Sequence, residues 1–431
     1  KLGILLRYPT VAGTADVQED PAAFEGCREA VHRLYPQVAS ACERHLVAGR
    51  GLVYRWKGKA KDAPWVLMAH YDVVPAPDEG WNRPPFSGEI SDGFVHGRGA
   101  VDTKSTLAAM LEAAEGLIGE GFVPEQDIYF CFSADEETYG PTTGEIIRWL
   151  QGRDALPYAV LDEGGQVEED AAPGFKGTAV MVGVAEKGMA QLRLSVTGPG
   201  GHASCPPGES QAFVLAKALA RLHRKPFPMR ITSPVMKGLR AFSAKSAWPY
   251  RLIYRFPALF RPLIIRYAKK RAGSTAALFH TTCALTQLSG SGAANVLPVT
   301  AAAGINLRLL PGDSLEQAES HVRRAVNDAR VKVELVTGND PSPVSETEGP
   351  AFEHIRQAAQ AAWPEALTLP ALMTGASDAY HYSAVCPRVY RFSPLKISPE
   401  LSACVHAANE RIPIKALEEA VSFYQSLIKN L

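Results

Sequence analysis

Three short apolar runs in the first part of the chain each stop at side chains able to bind a cation. Val66-Leu67-Met68-Ala69 ends at His70, Ile128-Tyr129-Phe130-Cys131-Phe132 leads into Asp135-Glu136-Glu137, and Tyr158-Ala159-Val160-Leu161 ends at Asp162-Glu163. Their length and their β-branched or aromatic content suit strands, whereas residues 102–118, rich in Ala, Leu, Met and Glu, suit a helix. Such alternation predicts an α/β fold: a three-layer domain with a mostly parallel central sheet.

At 431 residues the chain exceeds one ordinary core, so a second domain is expected. The rhythm changes after Lys187. Residues 191–197 alternate as a half-buried strand and 211–224 suit a helix; 281–288 and 301–310 suit two more strands. Residues 314–330 suit a helix with Ser314 as N-cap, and 331–336 a closing strand. That β-α-β-β-α-β order describes a smaller ferredoxin-like α+β domain over 187–338, with an insert at about 225–277 rich in Pro, Arg and aromatics. The first rhythm resumes from 339, with a helix near 351–362 and a strand near 388–392. One domain, 1–186 plus 339–431, is therefore interrupted by another.

In open α/β sheets, sites form beyond the carboxyl ends of the strands. His70, the Glu136-Glu137 pair and Asp162 all fall there, and Asp102 sits where a Gly-rich loop, Gly97-Arg98-Gly99, gives way to a helix. Each is ordinary alone: a strand-end histidine is commonly structural, an acidic pair commonly solvated, a single aspartate commonly an N-cap. Four together point to one cation site, and His, Asp and Glu suit zinc, with carboxylates able to bridge two ions. Asp72, two residues past His70, returns to the same face of an extended segment and is placed to hold the second imidazole nitrogen. The paired glutamates invite a division of labour, one ligating and the other taking a proton from water.

Other chemistries find little support. The 45 basic and 45 acidic residues cancel, which gives no reason to expect nucleic acid as a partner. There is no P-loop and no Gly-x-Ser-x-Gly elbow, and the Gly198-Pro199-Gly200-Gly201 stretch, loosely suggestive of an anion-binding loop, follows the wrong kind of domain entry. Seven dispersed cysteines without a C-x-x-C pair read as reduced thiols, favouring a cytoplasmic location. No stretch approaches the ~20 apolar residues of a membrane span. The chain opens at Lys1 already in mid-domain, which leaves room for a removed upstream signal or anchor.

With these residues in view the chain resembles the zinc peptidases that include aminoacylase-1, glutamate carboxypeptidase, acetylornithine deacetylase and carboxypeptidase S. The matching strings include Met68-Ala69-His70-Tyr71-Asp72, Gly99-Ala100-Val101-Asp102-Thr103-Lys104, Asp135-Glu136-Glu137 and Gly200-Gly201-His202-Ala203-Ser204. Asn295-Val296-Leu297-Pro298, Asn306-Leu307-Arg308 and Val405-His406-Ala407-Ala408-Asn409-Glu410 follow in the same order. Leu161-Asp162-Glu163-Gly164-Gly165 and Tyr390-Arg391-Phe392-Ser393-Pro394 are most similar to the carboxypeptidase S and N-fatty-acyl-amino-acid synthase/hydrolase branch.

The resemblance implies two Zn2+ per chain, replaceable by Co2+ or Mn2+. Asp102 would bridge them, with His70 and Asp162 completing one site and Glu137 and His406 the other. It makes Glu136 the general base, Asp72 the orienter of His70, and His202 an oxyanion donor reaching a partner's site in a homodimer joined through the smaller, lid-like domain. Asn295 and Arg308 match positions that hold a substrate carboxylate. The implied reaction is hydrolysis of an N-acyl amino acid or small peptide with a free C-terminal carboxylate; the rival reading is a metal-binding scaffold without catalysis. Asp162 is taken over Glu163 because it directly follows the apolar run, although branches differ over which acid binds. Tyr380, in Ser377-Asp378-Ala379-Tyr380-His381, stands where an arginine is usual and leaves the substrate contact open. The insert is expected to serve as packing or dimer surface, with a wall for an apolar group as the other reading.

Overall fold

The computed structural model describes residues 1–14 and 17–431. Its larger sheet has eight strands in the order Glu43–Val47, Gly51–Trp56, Gln126–Ser133, Ala60–His70, Ala159–Glu169, Val389–Lys396, Thr178–Glu186, Leu367–Met373. Gln126–Ser133, Ala60–His70, Ala159–Glu169 and Val389–Lys396 run parallel to their neighbours in this group, so their carboxyl ends emerge on one edge. Alternate residues serve opposite faces, as the pleat requires. Leu67, Phe130 and Leu161 join a core roofed by the helices Lys104–Gly119, Pro350–Ala362 and Ile414–Asn430; Val66, Cys131 and Val160 join another beneath Thr142–Gln151 and Ala379–Tyr382. Two covered faces explain why the packed stretches 65–69, 128–132 and 159–161 of these strands are apolar without a break.

The smaller sheet is antiparallel, ordered Thr282–Ser289, Thr300–Leu309, Gly188–Thr197, Lys332–Asn339. Leu192, Leu194 and Val196 pack with Ile305 and Leu307 under the helices Gln211–Arg224 and Leu315–Val326. Ser314 does cap the second of these: its side chain accepts from Gln317 N while the Gln317 side chain returns to Ser314 N, a complete capping box. The helix stops at Val326, short of the expected 330, because Asn327 turns left-handed (φ 45°).

The insert folds into four short helices, Ser233–Phe242, Tyr250–Arg255, Arg261–Arg271 and Gly273–Ala277. Val235, Ile264 and Ala268 cluster with Ala185 and Leu372, and Phe242 and Tyr254 with Phe175, Ala179 and Leu369. The insert thus packs against the Thr178–Glu186 and Leu367–Met373 edge of the larger sheet. Part of the expected packing role is met there. All seven cysteines are free, and among the described residues no helix is long and apolar enough to cross a membrane.

Candidate metal centre

His70 closes its strand and is buried. Its Nε2 lies 3.0 Å from Asp102 Oδ1 and 3.5 Å from Glu163 Oε1. Its Nδ1 faces Asp72, 3.0 Å from the main-chain oxygen and 3.3 Å from carboxylate Oδ1. The Asp72 carboxylate also accepts the main-chain N–H groups of Glu136 (3.3 Å) and Glu137 (3.1 Å), so one buried acid aligns the imidazole and the turn bearing both glutamates.

The other Asp102 oxygen, Oδ2, lies 3.1 Å from His406 Nε2, which is itself 3.1 Å from Glu137 Oε1. Two sets of three donors therefore share Asp102: His70, Asp102 and Glu163, and Asp102, Glu137 and His406, each with its donor atoms within 4.8 Å of one another. Donors bound to one tetrahedral zinc at about 2.0–2.1 Å lie roughly 3.3 Å apart, close to the spacings seen. Asp102 lies two residues before the start of the Lys104–Gly119 helix and is joined to Thr103 by a cis peptide. Gly99 (φ 84°) lets the loop pass Val73, whose Cγ1 a β-carbon would approach to 2.8 Å. His406 also adopts a left-handed backbone (φ 61°), uncommon for a histidine and typical of residues held in place at a site.

Charge supports a cation. Burial alone would lower the His70 pKa, but Glu163, Asp102 and Asp72 raise it well above the usual imidazole range. Asp102 and Glu137 raise that of His406 to about 10. Burial pushes the carboxyls of Glu136 and Glu163 well up, joined by Asp378, Glu137 and Asp102 for the first and by Asp102, Glu136 and Asp162 for the second. More buried negative charge is gathered here than two imidazoles balance, and divalent cations are its complement. The donors fit zinc.

One expected ligand is misplaced. The strand does not end at Leu161 but runs on to Glu169, so Asp162 lies inside it, and alternation turns Asp162 and Glu163 to opposite sides. Asp162 is buried, accepts from Ala379 N at 2.9 Å, and is pushed up to about 6 by burial and by Asp378. Glu163, not Asp162, stands beside His70 and Asp102. Only the doubled acid itself hinted at this.

A cleft of about 440 Å³ opens over the cluster. Asp102, Glu136, Glu137, Glu163 and His406 line it, Val74, Val101, Met373, Leu395 and Ile397 supply apolar walls, and Arg308 enters from the smaller sheet. Arg308 Nη1 is buried without a hydrogen-bond partner. No insert residue is among the lining, so the apolar wall comes from elsewhere. His202 and Asn295 are not brought to the cleft: both are exposed and adjacent, Ala203 N donating to Asn295 O at 2.9 Å and His202 pairing with Val296. Tyr380 is half-buried on the Ala379–Tyr382 helix.

Glu410 has no role that sequence reasoning assigned. Its fully buried carboxylate accepts from Val101 N (2.7 Å), Gly99 N (3.1 Å) and Asp102 N (3.2 Å), and pairs with Arg98 Nη1 at 2.6 Å. It anchors the loop that presents Asp102.

The sequence profile of peptidase family M20/M25/M40 matches residues 66–430. The human N-fatty-acyl-amino acid synthase/hydrolase PM20D1 is 33% identical over 99% of this chain and 86% of its own length. The probable carboxypeptidase S-like 2 of Dictyostelium discoideum is 35% identical over 92% and 77%. Among solved structures, the M20 family metallo-carboxypeptidase Sso-CP2 from Sulfolobus solfataricus superposes with a TM-score of 0.70 at 18% identity, covering 99% of this chain and 97% of that one. A profile match over most of the chain and relatives of this identity make it a member of peptidase family M20/M25/M40, a metal-dependent peptidase or amidohydrolase.

Proposed function

We propose that the cleft holds two zinc ions and hydrolyses the amide bond of N-acyl amino acids, or of small peptides with a free C-terminal carboxylate. The carrying observation is Asp102, whose two oxygens each face a different histidine and so join two donor sets. His70, Asp102 and Glu163 would hold one ion; Asp102, Glu137 and His406 the other. When bound, such a pair supplies Lewis acidity and a water acidic enough to lose its proton near neutral pH. Cobalt or manganese would serve in its place.

The chain's own groups do the rest. Glu136 lines the cleft without belonging to either donor set, and takes the proton of the attacking water. It then returns that proton to the leaving amine. Asp72 keeps His70 and the Glu136-Glu137 turn in register. The unpartnered Arg308 guanidinium suits a substrate carboxylate, and the apolar wall suits an acyl group, consistent with the fatty-acyl substrate in the name of the human relative.

Residues 187–338 act as the lid and residues 1–186 with 339–431 as the catalytic domain. His202 and Asn295 fit a homodimer, reaching a second cleft from an exposed position. The exposed edge strand Thr282–Ser289, with Leu285 and Leu288 outward, supplies a surface for it.

Glu136→Gln is the test. It should lower kcat by about 10²–10⁴-fold, the worth of a general base, while two equivalents of zinc remain bound. Near-normal turnover would reject the assignment.

A further inference from the structure

No aspartate or glutamate occurs between Glu209 and Asp313, although acids and bases balance over the whole chain. Within 225–277 alone stand twelve lysines and arginines. Arg230 pairs with Asp313 at 2.9 Å, but seven of these cations are neither buried nor neutralised: Arg251, Arg255, Arg261, Arg266 and the Lys269-Lys270-Arg271 run are all exposed, and none forms an ion pair with a described residue. Large apolar side chains are exposed among them. Trp248 is 83% exposed, Leu259 75%, Leu263 50%, Phe256 47% and Leu252 45%. These belong to the helices Tyr250–Arg255 and Arg261–Arg271 and the segments beside them, whose opposite side chains Tyr254, Ile264 and Ala268 are buried against the larger sheet. The inner face anchors the insert; the outer face is both cationic and greasy.

We propose that this outer face docks the protein on the surface of anionic phospholipid bilayers. Helices lying in the interface bury apolar side chains at the headgroup boundary while lysine and arginine meet lipid phosphates. A nucleic acid would use the cations but gives exposed Leu259 and Leu263 nothing to enter. An acidic protein surface would match the charge, yet Trp248, Phe256 and Leu259 call for a hydrocarbon phase beside that charge. Docking is peripheral, since the helices are far too short to span.

The experiment is flotation of the full chain with phosphatidylcholine vesicles, with and without a large fraction of phosphatidylserine, at low and high salt. Binding should require phosphatidylserine and weaken with salt. Each cation near the surface contributes about fivefold, so Arg261→Ala/Lys269→Ala/Lys270→Ala should reduce partitioning on the order of 100-fold. Trp248→Ser/Leu259→Ser should reduce it at least about tenfold by removing apolar insertion. Both sets lie on the surface, and unchanged circular dichroism and melting would show intact folds. Absent or phosphatidylserine-independent binding of the unaltered protein would overturn the proposal. So would unchanged partitioning of both variants, or retention on duplex DNA or polyglutamate without flotation.

Discussion

Replacing Glu410 with glutamine tests how the Asp102 loop is held. The side chain keeps its size, but one oxygen becomes an NH2 that can only donate. In the native protein one oxygen serves Val101 N and Asp102 N, the other Gly99 N and Arg98 Nη1. Whichever way the amide turns, two donors face a donor, and Arg98, with its side chain 3% exposed, loses its counter-charge. Stranding one member of a buried pair costs about 3–5 kcal/mol, and each orphaned amide about 1–3 kcal/mol. Water entry and relaxation recover part of this, so a loss on the order of 5 kcal/mol is expected. That is a large share of the roughly 5–15 kcal/mol that hold most proteins folded. Urea unfolding in the presence of chelator isolates the effect from metal binding: the midpoint should fall with the slope unchanged. Because Asp102 N is released, zinc affinity should drop about 10–100-fold, as for other outer partners of metal ligands. A midpoint loss worth less than about 1 kcal/mol together with native zinc affinity would refute the reasoning.

Glu163→Gln should lose one zinc equivalent and nearly all turnover, whereas Asp162→Asn should keep both ions; metal analysis of the two purified variants decides between the neighbours. Burial, with Arg308 nearby, lowers the pKa of Lys187 from 10.5 to about 8, although its Nζ donates to the Ala277 and His280 carbonyls. The unfolded chain then binds more protons than the folded one between pH 8 and 10.5, so this group adds stability as pH rises through that window, about 3 kcal/mol in all. Lys187→Met should flatten that part of the stability–pH curve, and an unchanged slope would contradict the burial effect. Chelation should abolish activity and lower the melting temperature, and added zinc should restore both; a thousandfold excess of zinc over its Kd is worth about 4 kcal/mol. Full activity after exhaustive chelation would exclude a metal-dependent site.

Much of the site is legible in the chain because its components are local. His70 follows an apolar run, Glu136 and Glu137 follow another, and Asp102 follows a glycine loop, so each position can be read within a few residues. The choice between Asp162 and Glu163 is not legible locally because the run's apolar character stops at Leu161 while the strand does not: it continues through an irregularity after Asp162, pairing with Val389–Lys396 as far as Val167 and with Thr178–Glu186 from Val167 to Glu169. The role of Glu410 is not legible locally because its partner Arg98 is 312 residues away, a separation that no local pattern reports.

The sequence by itself determined the alternation of strands and helices, the interruption by a second α+β unit, and the residue types gathered at the strand ends. Those are consequences of periodicity and composition, which act over short stretches. Tertiary structure alone decided which of two adjacent acids faces the cleft, that Glu410 anchors the loop before Asp102, and that the cationic insert lies on the edge of the larger sheet. Such outcomes depend on where strands stop and which surfaces meet, and both are settled by packing between segments hundreds of residues apart.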